Sequence, residues 1–154
     1  MNENSPLSVL IVDDEAPARV RLRDVLGDIA GELPNVVAAE AANGVQALDA
    51  LARLGAAGQG VDVLLVDIRM PTMDGIELAR HLAQLEHAPG IIFVTAYDNY
   101  AVHAFELSAI DYLVKPVRAP CCNRSSTCGE SAGRPWRTFC KATRRRCART
   151  GLTR

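Results

Sequence analysis

LSVLIVDDE, residues 7–15, decides the fold. Its first six residues are short, branched and almost wholly apolar, and the run stops at two adjacent acids, Asp13 and Asp14. Such a run reads as a strand buried on both faces, as in a parallel sheet. Three later stretches repeat the plan: VDVLLV before Asp67, GIIFV before Thr95, and IDYLV before Lys115. Side chains at the carboxyl ends of neighbouring parallel strands converge on one crevice, the usual ligand position in an open α/β sheet. Three carboxylates, one hydroxyl and one amine in that crevice suit a hard cation and a phosphoryl group.

Between the strands the apolar period changes. Glu15 to about Ile29 places Ala18, Leu22, Val25, Leu26 and Ile29 on one helical stripe, with Pro17 tolerated in the first turn. Val36–Ala41 reads as a weaker second strand, and Gly44–Leu54 as a helix with Val45, Leu48, Leu51 and Leu54 apolar. Val61–Val66 is the central strand. Ile76–Leu85 is a helix presenting Ile76, Leu78, Leu82 and Leu85, and Ile91–Val94 is a strand. Residues 99–107 form a short helix and Tyr112–Val114 the last strand. The pattern predicts an α/β protein in three layers with right-handed crossovers. Acids after strands one and three fit a doubly wound five-stranded parallel sheet, order 2-1-3-4-5, with its crevice between those two strands.

Charge divides the chain. Residues 1–117 carry seven Lys or Arg against seventeen Asp or Glu, net −10, whereas residues 118–154 carry ten against one, net +9. An acidic body gives no reason to expect direct nucleic-acid binding. No window reaches the roughly 18 apolar residues of a membrane span, and MNENSPLSVL lacks the layout of a signal peptide. The expectation is a cytoplasmic domain with no membrane partner.

The stretch 118–154 does not continue the pattern. A fifth helix is expected there, yet RAPCCNRSSTCGESAG, residues 118–133, has no period, and Arg134–Thr150 offers only a ragged face of Trp136, Phe139, Cys140 and Cys147. All five cysteines lie in this stretch. They lack paired Cys-x-x-Cys spacing for structural zinc, and an odd number argues against a disulfide framework. Arg144–Arg146 is a bare basic run and weak as a nucleic-acid signal. The favoured reading is a coding frame out of register. Read from the third base of each codon, Pro120–Asn123 permits Leu, Met or Val, then Leu, then Gln or a stop. Arg124–Gly129 then permits Leu-Glu-Tyr-Leu-Arg, an amphipathic helix. The organisation expected is therefore a domain over 1–117 and an atypical basic, Cys-containing tail over 118–154, with no complete output domain.

The acids have a chemical reason to cluster. Mg²⁺ wants near-octahedral oxygen coordination and keeps several waters, so one or two carboxylates suffice. Asp67 with Asp14 beside it meets that need, and Asp13 acts through a water. Three acids in one pocket repel each other, so without a cation at least one should have a raised pKa. Helix capping explains one or two of these aspartates, but not three converging with Lys115. Lys115 also fits a plain salt bridge to Asp67. His81, His87 and His103 lie away from the crevice and take surface or packing roles.

IVDDE, DIRMPTMDG headed by Asp67, VTA and DYLVKP closely resemble the receiver domain of two-component response regulators, over roughly residues 7–117. The resemblance implies a flavodoxin-like receiver fold, here with an abnormal or missing fifth helix. It implies that Asp67 is the phosphoacceptor, taking a phosphoryl group from a phosphohistidine of a sensor histidine kinase. Asp13 and Asp14 complete the Mg²⁺ site with the backbone carbonyl of Arg69. Lys115 bonds the phosphoryl oxygens, Thr95 turns inward to meet them, and Tyr112 fills the space left behind. That switch would reshape the surface of the fourth helix, fifth strand and fifth helix, through which such receivers form a homodimer. The resemblance also implies a cis Lys115-Pro116 bond. It implies no enzyme beyond a phosphoacceptor that assists its own phosphotransfer and dephosphorylation.

TAYDNYAVHAFELSAIDYLVKP narrows the likeness to receivers that precede LytTR-type DNA-binding output domains. Transcriptional control is implied for an intact relative, with DNA contacted only through that absent domain. Three rivals share the crevice. A stand-alone receiver would signal by protein–protein contact. An aspartate-nucleophile phosphatase would need a general acid two residues past its nucleophile, where Arg69 stands. A flavodoxin-like domain with a dead site would bind neither Mg²⁺ nor a phosphoryl mimic.

Overall fold

A computed structural model describes residues 5–31, 34–96 and 111–115, the side chains of 111–114 excepted. Its elements are β1 (Leu7–Val12), α1 (Ala16–Asp28), β2 (Asn35–Ala41), α2 (Gly44–Ala56), β3 (Val63–Val66), α3 (Gly75–Leu82), β4 (Gly90–Thr95) and β5 (Asp111–Val114). The strands form one parallel sheet in the order β2-β1-β3-β4-β5. This is the doubly wound α/β arrangement read from the alternating strand and helix patterns. The helix expected over 99–107, the fifth helix, Pro116, His103 and all five cysteines lie outside the described residues, as does the Tyr112 side chain.

The central strands bury both faces, which is why they read as unbroken apolar runs. Val9, Ile11, Val63, Leu65, Ile92 and Val94 point to one side and pack with Leu22, Val25, Leu26 and Ile29 around α1. Leu10, Val12, Leu64, Val66, Ile91 and Phe93 point to the other and meet Ala47, Ala50, Leu78, Ala79 and Leu82 of α2 and α3. Each fully buried Leu, Ile or Phe contributes about 1.5–3 kcal/mol relative to exposure.

Edge strand β2 departs from this regularity. Val9 pairs with Val37 but Leu10 pairs with Ala39, so the register slips by one residue at Ala38. Val37 therefore packs on the α1 side, while Ala39 and Ala41 pack on the α2 side. Without that slip, residues of equal parity would share a face.

Two helices correct their sequence reading. Val45 was expected inside but is exposed, and the buried face of α2 is instead Gly44, Ala47 and Ala50. Close approach selects small residues there: a Cβ on Gly44 would strike the Met73 side chain. Helix α3 stops at Leu82 and leaves Leu85 half-exposed. The chain tightens just past it, with Gln84 N–H bonding the His81 carbonyl and Leu85 N–H the Leu82 carbonyl, both three residues back.

The loop between β3 and α3 is shaped by two special positions. Gly75 N–H donates to the Ile68 carbonyl at 2.8 Å, and a Cβ at Gly75 would run into the Asp67 carbonyl oxygen. Thr72 has φ of 70°, a region costly for a β-branched residue. Opposite outcomes are expected from substituting the two. Gly75→Ala should cost about 2 kcal/mol or more through backbone overlap, while Thr72→Asn should add about 0.5–1 kcal/mol because Asn tolerates this conformation. Urea unfolding of both variants checks the signs.

Candidate functional site

Each central residue of the site occupies the backbone position just beyond a strand. Asp13 N–H donates to the Ala41 carbonyl at 3.0 Å, Asp67 N–H to the Val12 carbonyl at 2.9 Å, and Lys115 N–H to the Thr95 carbonyl at 2.8 Å. These bonds extend the sheet ladder by one residue, so the side chains are aimed by the sheet itself. The crevice falls between β1 and β3, where the strand order reverses.

Asp13 and Asp67 are buried, Asp14 is exposed, and one carboxylate oxygen from each lies within 4.8 Å of the others. Lys115 Nζ donates to Asp13 Oδ2 at 2.8 Å and to Asp67 Oδ2 at 3.3 Å. Asp13 Oδ1 accepts from Glu15 N–H at 2.9 Å. Thr95, at the end of β4, is wholly buried. Arg69 is exposed in the loop two residues after Asp67. His81 and His87 are exposed and contribute nothing to the cluster.

Asp74, the acid nearest in the loop motif, has a different task. Its side chain caps α3 by accepting from Glu77 N–H at 2.8 Å. Capping thus accounts for Asp74, while the other three aspartates converge.

Burial raises the pKa of Asp67, the Lys115 charge lowers it, and the Asp13 charge raises it again; the net direction is upward. The direction matches the expectation for the cluster, but burial is the main cause, and the Lys115 charge outweighs the repulsion from Asp13. For Lys115, burial opposes the charged form, but its hydrogen bond to Asp13 and the charges of Asp67 and Asp13 outweigh burial, so its pKa is raised. The sequence pointed to Asp67 as the partner of Lys115. The shorter bond goes to Asp13, a pairing that no local pattern encodes because 102 residues separate the two.

The donor set is oxygen-only, crowded and short of positive charge, which fits a hard cation such as Mg²⁺ rather than a soft metal. No His or Cys belongs to the cluster among the described residues.

Comparison with known proteins agrees with this fold. The model of the response regulator receiver domain matches residues 9–121, and the chain belongs to that family. It is 44 % identical over 113 residues to the positive alginate biosynthesis regulatory protein of Pseudomonas aeruginosa, a match covering 73 % of this chain and 43 % of that protein. It is 44 % identical over 111 residues to the transcriptional regulatory protein BtsR of Salmonella typhi, covering 72 % and 43 %. The chain thus spans less than half the length of these curated relatives.

Among solved structures, it superposes on the response regulatory domain of mrkE from Klebsiella pneumoniae with a TM-score of 0.69 and 28 % identity, covering 91 % of this chain and 98 % of that one. A similar match, TM-score 0.65 and 33 % identity, is to a chain from the complex of the CheA3 P1 domain with CheY6 of R. sphaeroides, covering 92 % and 99 %. No helix of the described residues is long and apolar enough to cross a membrane.

The charge balance makes two variants move in opposite directions. Because the folded-state pKa of Asp67 is raised, its stability contribution is full below the unfolded value and is lost as pH rises through the folded value. Ionised Asp67 therefore costs stability at neutral pH. In chelator, Asp67→Asn should melt higher than the parent near neutrality, and the difference should shrink as pH falls into the carboxylate range. Lys115→Met should instead destabilise by about 2 kcal/mol, less than the 3–5 kcal/mol of a fully buried pair because the lysine keeps some exposure. Thermal melts across pH separate the two effects.

Proposed function

We propose that this chain is a phosphoacceptor receiver that takes a phosphoryl group from a phosphohistidine of a sensor histidine kinase onto Asp67. The carrying observation is the convergence of Asp13, Asp14 and Asp67 with Lys115 bonded to two of them. A buried carboxylate flanked by a cation and two further acids has the components for in-line attack on phosphorus. Family membership and the likeness to a receiver in complex with a CheA3 P1 domain support the choice of donor.

In the transfer, an Asp67 carboxylate oxygen forms a bond to phosphorus as the bond from phosphorus to the donor imidazole nitrogen breaks. The departing nitrogen is protonated, leaving a neutral histidine on the partner. Positioning and charge neutralisation do most of the work in such a reaction. Asp13, Asp14, Asp67 and the Arg69 carbonyl would hold Mg²⁺, which supplies positive charge against the acids and the phosphoryl oxygens. Lys115, already 3.3 Å from Asp67, shifts its hydrogen bonds to those oxygens as they arrive. Asp13 stays tied to the Glu15 amide and keeps the lysine near.

Thr95 and Tyr112 form the switch in this reading. The buried Thr95 hydroxyl turns towards the phosphoryl oxygen, and Tyr112 takes up the space, biasing a two-state surface. The relatives named as alginate and transcriptional regulators favour a LytTR-type setting, with transcriptional control in the intact protein and DNA contact through a separate output domain. A homodimer through the fourth helix, fifth strand and fifth helix belongs to the same setting. It would be impaired where the tail replaces that helix. The chain acts as a phosphoacceptor rather than as an enzyme with a turnover substrate. The receiver occupies residues 1–117 and the basic tail 118–154.

Incubation with Mg²⁺ and a small phosphodonor should add one acid-stable, base-labile phosphoryl group, lost in Asp67→Asn. Retention of the label in that variant would overturn the assignment. Asp14→Ala should weaken Mg²⁺ at least about tenfold through loss of a ligand oxygen, measured by calorimetry. Reading the nucleotide sequence over codons 115–154 tests the tail. Restoring the alternative frame should yield an amphipathic helix and a longer downstream domain.

A further inference from the structure

Arg19 makes a connection that the phosphoacceptor chemistry does not use directly. Its Nη1 donates to the backbone carbonyl of Asp13 at 2.8 Å, and its Nε lies 3.3 Å from Glu40 Oε2. Helical side chains lean back towards their own amino end, so the fourth residue of α1 reaches the strand that precedes the helix. Glu40 is also held by Arg23, one turn further along α1, at 2.9 Å.

The irregular edge strand makes this arrangement possible. The register slip at Ala38 puts Ala39 and Ala41 on the α2 side, which leaves Glu40, opposite Ile11, on the α1 side. An unbroken alternation from Val37 would turn Glu40 away from both arginines. Bulges recur where a strand must re-aim a side chain beside a site.

We propose that Arg19, anchored by Glu40, is a positioning residue for the acidic cluster, fixing the Asp13 backbone so that its carboxylate stays aimed at Lys115 and a bound cation. The proposal rests on reading that cluster as a Mg²⁺ site. Asp13 is then restrained through its amide by Ala41, its carbonyl by Arg19 and its carboxylate by Glu15 and Lys115. Three of those restraints come from the sheet, the adjoining turn and the site itself. Among the bonds described, Arg19 is the one that ties Asp13 to the body of α1, and through Glu40 it adds a second link to β2 beside the Ala41 carbonyl. The forked guanidinium can satisfy both acceptors at once, which a lysine ammonium on a single point does less well.

The sign of the effect distinguishes positioning from simple electrostatics. Arg19 is a positive charge near a cation site, so removing it by charge alone should tighten Mg²⁺ binding. Loss of positioning should weaken it, and supporting contacts of this kind commonly matter by ten to a hundredfold. Arg23 is the internal control: it neutralises the same Glu40 but makes no bond to Asp13 among those described.

Mg²⁺ titration by calorimetry on the full chain tests the proposal, with circular dichroism to verify folding. Affinity should fall about tenfold in Arg19→Ala, fall less in Arg19→Lys, and stay unchanged or rise slightly in Arg23→Ala. If Arg19→Ala does not fold, Arg19→Lys carries the test, since it keeps the charge and should still bind several-fold more weakly. Parental affinity in folded Arg19 variants, or tighter binding in Arg19→Ala, would overturn the proposal. Equal weakening by Arg23→Ala would also overturn it. Failure of the parent protein to bind Mg²⁺ would instead remove the reading of the cluster on which the proposal rests.

Discussion

Two buried aspartates meet at the end of one sheet, and the Lys115 ammonium, bonded to both, is the cation that holds them together. At 4.8 Å, the limit of the cluster, two carboxylate charges repel by about 3 kcal/mol at the effective dielectric of a protein. The ammonium bonded to both offsets this repulsion, and the upward shift of Asp67 comes chiefly from its burial. The site is thus kept electrostatically tense in the absence of metal. An incoming cation would relieve that cost, whereas a phosphoryl group would bring further negative charge, and a charge change of this kind at one end of a sheet can bias surfaces elsewhere.

That arrangement requires the sheet to be assembled in order. Asp13, Asp67 and Lys115 belong to β1, β3 and β5 ends, and each is aimed by a hydrogen bond from its backbone N–H to a carbonyl of the neighbouring strand. Loss of alignment at any of these ladders would move a charged group by a whole residue and expose or bury it wrongly. The rigid, doubly covered centre of the sheet carries the charged cluster, while the loop after β3 supplies tight backbone geometry through Gly75 and Thr72. Helix α1 adds a brace from the other side through Arg19. Membership of the receiver family places this architecture in a setting of signalling proteins, and the chain covers under half the length of its curated relatives. What those longer proteins regulate is a property of their full assemblies, and the receiver supplies a phosphorylation-dependent surface in the reading proposed above.

Much of this was legible in the residues. The apolar runs ending at Asp13, Asp67, Thr95 and Lys115 marked the strands because parallel strands covered on both faces need no alternation. The acids after strands one and three placed the crevice, since strand order and right-handed crossovers leave little other choice. Helix α2 was legible in part: Leu48 and Leu51 pack against the core as their spacing suggested, but Val45 is exposed, and the fully buried positions beside Met73 and the sheet are Gly44, Ala47 and Ala50. Periodicity records which residues are apolar, not how near the next layer sits.

The sequence by itself determined the strand ends, the doubly wound order and the identity of the acids, because all three follow from local runs and their succession. Only the tertiary structure decided that Lys115 bonds Asp13 more closely than Asp67, since that choice depends on where two distant strand ends meet. It also decided that Glu40 faces α1. One slipped residue in β2 reverses the outward and inward faces beyond it, and nothing in NVVAAEA announces the slip. Side-chain direction in a strand has a period of two, so a single-residue shift is invisible to composition yet inverts every contact after it.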